Sequence, residues 1–171
     1  VWWLWNDDSS PAVNKAANQG YDVTENSNTS NQDQLNNIER LVFNDAKLAL
    51  DLDGHAGWVA KLLGAVFGAS FVSNQEYVGI GLIEADRLEY QQLADYALSV
   101  RGFTNHEKLV TVLWANLFGN VPSETEKSPY IKMLDNGEIS TGDLTIIAAE
   151  STVNLQNINL IGLTESGIAY I

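Results

Sequence analysis

The 171 residues include no cysteine, which excludes disulfides, thiolate nucleophiles and cysteine-ligated zinc or iron–sulfur centres. Histidine is nearly as scarce: with only His55 and His106, a histidine-based triad or metal centre has almost nothing to draw on. Lysine and arginine number nine against 22 aspartates and glutamates, a formal charge of −13. Such a surface repels phosphate backbones and anionic lipid, which argues against nucleic acid as a partner. No apolar run approaches the roughly 20 residues of a membrane span. The G-x-S-x-G elbow, the P-loop, G-x-G-x-x-G and the RTX nonapeptide are all missing. "GIG" (Gly79–Gly81) lacks the third glycine and preceding strand of a nucleotide loop.

What is present divides into two textures. Residues 1–55 are rich in Asn, Asp, Ser and Thr between short apolar runs, whereas 56–171 carry helical periodicity. The expected fold class is α+β, a β-rich N-terminal segment followed by a mainly α-helical bundle of two related units. "VWWLW" (Val1–Trp5) and the segment around Tyr21–Thr24 read as strands, and 25–34 as a polar loop. A hairpin is expected with strands 38–43 and 48–52 about a turn at 44–47. Leu48, Leu50 and Leu52 would face a core, with Asp51 and Asp53 outward. Val1 is not an initiating Met and no basic region follows it, so the chain is expected to continue upstream and to be a C-terminal piece.

Beyond residue 55, Trp58, Leu62, Leu63, Val66 and Phe67 share one helical face. Capping boxes are expected at Ser73–Glu76, Thr104–Glu107 and Ser123–Glu126, and helix stops at Gly68, Gly102, Gly119 and Gly137. Pro122 and Pro129 fit loop or first-turn positions. Five to seven short helices result. "VAKLLGAVFG" (Val59–Gly68) aligns without gaps on "VTVLWANLFG" (Val110–Gly119), and the same 51-residue spacing pairs Leu93 with Leu144 and Ala97 with Ala148. Two helical units, 59–100 and 110–151, are therefore expected to share one packing scheme.

The stretch "DLDGHAGW" (Asp51–Trp58) concentrates the polar candidates. Read as an EF-hand it fails after two ligands, because its sixth position is Ala56 and its twelfth Leu62. Two readings stay open: a structural corner in which Asp53 caps the following helix, or a calcium site using Asp51 and Asp53. "HEKLV" (His106–Val110) begins like the zinc-protease helix, but Val110 stands where the second histidine ligand belongs. Trp2, Trp3 and Trp5 could stack on a sugar or lie in an interface. An apolar strand there calls for a partner upstream or in another subunit.

"NIERLVFNDAKLALDLDGHAGWVAKLLGAVFG" (Asn37–Gly68) resembles a junction in large bacterial extracellular proteins. There a β-rich, often RTX-type region passes into the 4214-type domain of unknown function, a phycobilisome-linker-like helical domain. Residues 109–151 are similar to a second copy of that domain, although Gly119–Ser123 lacks the usual Arg and Asp and Tyr130–Ile131 replaces Tyr-Trp. The resemblance implies type I secretion, a cell-surface or extracellular location, and a structural role in a surface layer, adhesin or filament. It brings no catalytic residues. Ile168, Ala169, Tyr170 and Ile171 would fit a C-terminal secretion signal, or simply a last strand or helix docked on the bundle. The expected partners are a second copy, an upstream β region or a surface polysaccharide. The expectation is a non-enzymatic module; the alternatives are an accessory domain of a secreted polysaccharide lyase or protease, and a carbohydrate-binding module.

Overall fold

The apolar alternation before residue 55 folds as the expected hairpin, with shorter strands. Arg40–Val42 (β5) and Lys47–Ala49 (β6) pair antiparallel, Leu41 opposite Leu48, and the Phe43 N–H closes the turn on the Ala46 carbonyl at 2.7 Å. The computed structural model describes residues 2–4, 12–16, 20–24 and 32–171. Trp2–Leu4 (β1) runs parallel to β5, so this strand has its partner within the chain. Ile168–Tyr170 (β7) pairs antiparallel with β6 and completes a four-stranded sheet, β1-β5-β6-β7. A separate antiparallel meander joins Ala12–Lys15 (β2), Tyr21–Thr24 (β3) and Gln32–Leu35 (β4).

The hairpin is covered on both faces, so its pattern departs from simple inward and outward alternation. Leu41, Phe43 and Leu50 pack with Tyr21, Val23 and Leu35 of the meander, while Ala49, Leu52, Ile168 and Tyr170 belong to the helical core. Leu48 is half-buried. Asp51 turns inward, its side chain 15% exposed, and only Asp53 stays exposed.

Eight α-helices follow among the described residues. His55–Leu62 (α1) continues into a π-helical turn, Leu63–Phe67, and a 3-10 turn, Ala69–Ser73. Gln75–Ala85 (α2) and Tyr90–Arg101 (α3) complete the first unit. The second is His106–Phe118 (α4), Glu124–Asp135 (α5) and Thr141–Ala149 (α6). Thr152–Asn157 (α7) and Leu160–Ser166 (α8) lead into β7. The 51-residue spacing is kept by the first and third helices: His55 and His106 open α1 and α4, and Tyr90 and Thr141 open α3 and α6. Gly68 and Gly119 end the first helical stretch of each unit at φ 106° and 73°, backbone that glycine tolerates best.

Two of the expected capping boxes are replaced by single caps one residue further on. Asn74 and Asn105, rather than Ser73 and Thr104, are the caps, their side-chain oxygens accepting from the Tyr77 and Lys108 N–H groups at 3.2 and 2.8 Å. The third forms as expected, the Ser123 N–H donating to Glu126 at 2.7 Å. Pro129 lies inside α5 rather than in a loop or first turn. It sits on an exposed face, where water can serve the Thr125 carbonyl that the missing N–H leaves free.

The π turn widens the helix, and two asparagines satisfy carbonyls around it. Asn154 Nδ2 donates to the Lys61 carbonyl at 2.9 Å and Asn116 Nδ2 to the Ala65 carbonyl at 2.8 Å. "GIG" is helical: a Cβ on Gly79 would stand 2.2 Å from the Ile171 carbonyl oxygen, and one on Gly81 2.6 Å from Val59. These glycines let α2 lie against β7 and α1. No helix among the described residues is long and apolar enough to cross a membrane.

Candidate functional site

The acidic turn sits where the hairpin meets α1. Gly54 is the N-cap of that helix, and Asp51 rather than Asp53 reaches its first turn: the Asp51 Oδ2 accepts from the Ala56 N–H at 3.3 Å, and the Asp51 backbone carbonyl accepts from the Gly54 N–H at 2.8 Å. Gly57 is tied to the same corner, since a Cβ there would meet the Leu52 carbonyl oxygen at 2.0 Å. Asp51 Oδ1 is ion-paired to Arg40 Nη1, and both side chains are largely buried. Arg40 Nη2 lies 3.6 Å from Asp86 at the end of α2, and Asp86 is also 2.9 Å from His55 Nδ1. A chain Asp51–Arg40–Asp86–His55 therefore stitches hairpin, α1 and α2 together.

Aromatic and polar contacts extend this seam. Trp58 stacks on Tyr90 at 5.0 Å between centroids, and the Tyr90 hydroxyl donates to Glu150 at 3.0 Å, beside the Lys61–Glu150 ion pair, also 3.0 Å. Burial and the Glu150 charge push the Tyr90 hydroxyl far above the usual tyrosine range. The buried Tyr21 hydroxyl lies 3.1 Å from the Leu50 carbonyl and 3.0 Å from that of Thr164, joining meander, hairpin and α8. Burial, reinforced by Asp53, Glu165 and Asp51, raises its pKa. Burial is also the main cause raising that of Tyr170, whose hydroxyl has no hydrogen-bond partner among the described residues.

Beside the turn is a polar cavity of about 490 Å³, bounded by Asn36, Asn37, Asp51, Asp53 and Thr164 among others. Asn37 holds φ 55° there, a conformation asparagine tolerates better than most residues. No group of three or more His, Asp or Glu that could hold a metal occurs among the described residues. Trp5 and the side chains of Trp2 and Trp3 lie outside the described residues. Ile168, Ala169 and Tyr170 form β7, with Ile168 and Tyr170 buried; Ile171 is 67% exposed, its N–H on the Gln75 carbonyl at 3.3 Å.

Two further features recur in both helical units. His106 Nδ1 meets Asp135 at 2.7 Å, as His55 meets Asp86, so each unit ties the start of its first helix to the end of its second. Each unit also carries an apolar groove among its three helices, about 270 Å³ in the first and 170 Å³ in the second. Eight lining positions of the first recur 51 residues later in the second, Val59 with Val110, Leu62 with Leu113 and Leu93 with Leu144 among them. The repeat carried this signal in the sequence. Which helical face stays uncovered could not be read there.

These features define an α+β protein whose polar residues at the sheet–bundle seam are engaged in joining elements, and whose open surfaces among the described residues include a polar cavity and a repeated apolar groove. No family model, curated protein or solved structure matches the chain.

Proposed function

We propose that this chain is a non-catalytic C-terminal module of a secreted bacterial cell-surface or extracellular protein, serving export and assembly. The observation that carries this reading is the engagement of Asp51. Its carboxylate is shared between Arg40 and the first turn of α1, so the most chemically suggestive residues of the sequence work as a joint. The resemblance of Asn37–Gly68 to sheet-to-helix junctions of type I-secreted proteins supports the cellular setting. Surface layers, adhesins and filaments are the assemblies this reading covers.

Export is the direct test. In a Gram-negative host the chain should reach the medium or cell surface only with a type I exporter present, and removing Ile168–Ile171 should stop it. Retention inside the cell despite the exporter, or turnover of any substrate by the purified chain, would end the reading.

Calcium belongs to the same proposal, with Asp53 the exposed carboxylate and Asp51 available only if Arg40 moves aside. A rise in Tm with millimolar calcium that Asp53→Asn removes would place the ion at the turn, and an unchanged Tm would remove it from the reading. A carbohydrate-binding role is favoured by one observation, the polar cavity with its Asn36 and Asn37 amides. Chemical-shift changes at these residues on adding surface polysaccharide would support it.

A further inference from the structure

We infer that Asn136–Gly137 is a site of spontaneous deamidation gated by the end of α5: the closed helix end holds the reaction back, and its opening lets an irreversible mark form. This is the one Asn-Gly pair in the sequence. The reaction needs only water. The Gly137 backbone nitrogen attacks the Asn136 side-chain carbonyl carbon, the bond to Nδ2 breaks, and ammonia leaves with the proton that the nitrogen gave up. Water then opens the resulting five-membered imide to aspartate or isoaspartate. Glycine, with no side chain, is the neighbour that hinders this attack least. Both residues are exposed, and nothing lies within 4 Å of where a Gly137 Cβ would stand, so water has free access.

The folded helix end withholds each reacting group. Asn136 is the C-cap at φ −81° and ψ −7°, and Gly137 follows at φ 68°. The Gly137 N–H, which supplies the nucleophile, donates to the Leu134 carbonyl at 3.1 Å, and the Glu138 N–H donates to that of Met133 at 2.9 Å. Together these two bonds close the helix around a left-handed glycine. The leaving Nδ2 donates to Glu138 Oε1 at 2.9 Å. One residue earlier, Asp135 is held by His106 at 2.7 Å, which ties this helix end to the start of α4. Attack requires the Gly137 N–H to leave Leu134 and the Asn136 backbone to rotate out of its helical angle, so the rate follows how often the last turn opens. Reclosing is then opposed. The new carboxylate joins Asp135 and Glu138 at the negative end of α5, and isoaspartate lengthens the backbone inside the cap. The first helical unit has no counterpart, since α2 ends on Asp86 followed by Arg87.

Peptide mapping by mass spectrometry of the full chain, incubated in mildly alkaline buffer with and without guanidinium chloride, tests this. The amide-to-acid conversion should map to Asn136 and run at least roughly tenfold faster in denaturant than in the folded chain. His106→Ala should speed it about two- to fivefold in the folded chain, the range expected for losing an exposed pair, and leave the rate in denaturant unchanged. Glu138→Ala gives the same test through the other tie. Asn136→Gln, whose longer side chain cannot form the five-membered ring, should abolish the mark with the circular-dichroism spectrum unchanged. Equal rates in the folded and denatured chain, or a folded rate indifferent to both His106→Ala and Glu138→Ala, would overturn the inference. So would conversion of other asparagines with Asn136 left intact.

Discussion

Arg40 is the residue on which the sheet–bundle joint turns. It neutralises Asp51, whose side chain is only 15% exposed, and lies near Asp86. Removing one partner of a largely buried pair leaves the other uncompensated, so Arg40→Ala should cost about 3 kcal/mol, measured by urea unfolding. The tyrosines set the alkaline limit. Tyr21, Tyr90 and Tyr170 all have pKa values raised in the folded state, chiefly by burial. A raised folded pKa contributes stability that is complete below the unfolded value, near 10, and is lost as pH rises beyond it. Tm should therefore fall above about pH 10, and tyrosinate absorbance should show Tyr21, Tyr90 and Tyr170 ionising at higher pH in the folded chain than after unfolding. At this scale the sequence was legible where chemistry is local: a carboxylate of the acidic turn does reach the first turn of α1, and Ser123 does open α5. It was ambiguous between neighbours, Asp51 against Asp53 and Asn74 against Ser73, because capping depends on a backbone angle that composition does not encode.

Among the elements, α5 and α2 show how context reshapes equivalent sequence. Helix α2 is flanked by α1 on one side and by β7 on another, and Gly79 permits the second approach. Gly79→Val should expel the C-terminal strand, and hydrogen exchange should show the amides of Ile168–Tyr170 losing protection while α4 and α5 keep theirs. In α5 the corresponding face carries Ser128, Pro129 and Lys132 and meets water or intermediate exposure. Pro129 interrupts its hydrogen-bond ladder, so Pro129→Ala should stabilise the chain by about 1–3 kcal/mol in denaturant titrations. The hairpin and most of the helices were legible because period and turn residues act over a few positions. The π turn was not, for its sequence is aligned without a gap on the regular helix α4; the contacts around it come from distant elements, Asn116 donating to the Ala65 carbonyl within the turn and Asn154 to the Lys61 carbonyl just before it. For β7 a last strand docked on the bundle was one of the forms expected, but not its pairing with β6, about 120 residues earlier.

For the whole molecule, the decisive fact is that one hairpin serves two cores. Leu41 and Leu50 bind the meander while Ala49 and Leu52 enter the bundle. Thermal unfolding of the described fold should consequently give a single transition, with fluorescence and far-ultraviolet circular dichroism coincident; two separated transitions would mean that the sheet divides between independent bodies. A sequence pattern of alternating leucines could announce a strand but not that both its faces are dry, because that requires knowing what arrives on each side.

The position of β7 has a consequence for timing. Its two buried side chains, Ile168 and Tyr170, fill the same interior as residues made far earlier, so a nascent chain that has not yet reached them holds an unfinished core with an open sheet edge. Synthesis must pass Tyr170 before that interior can close.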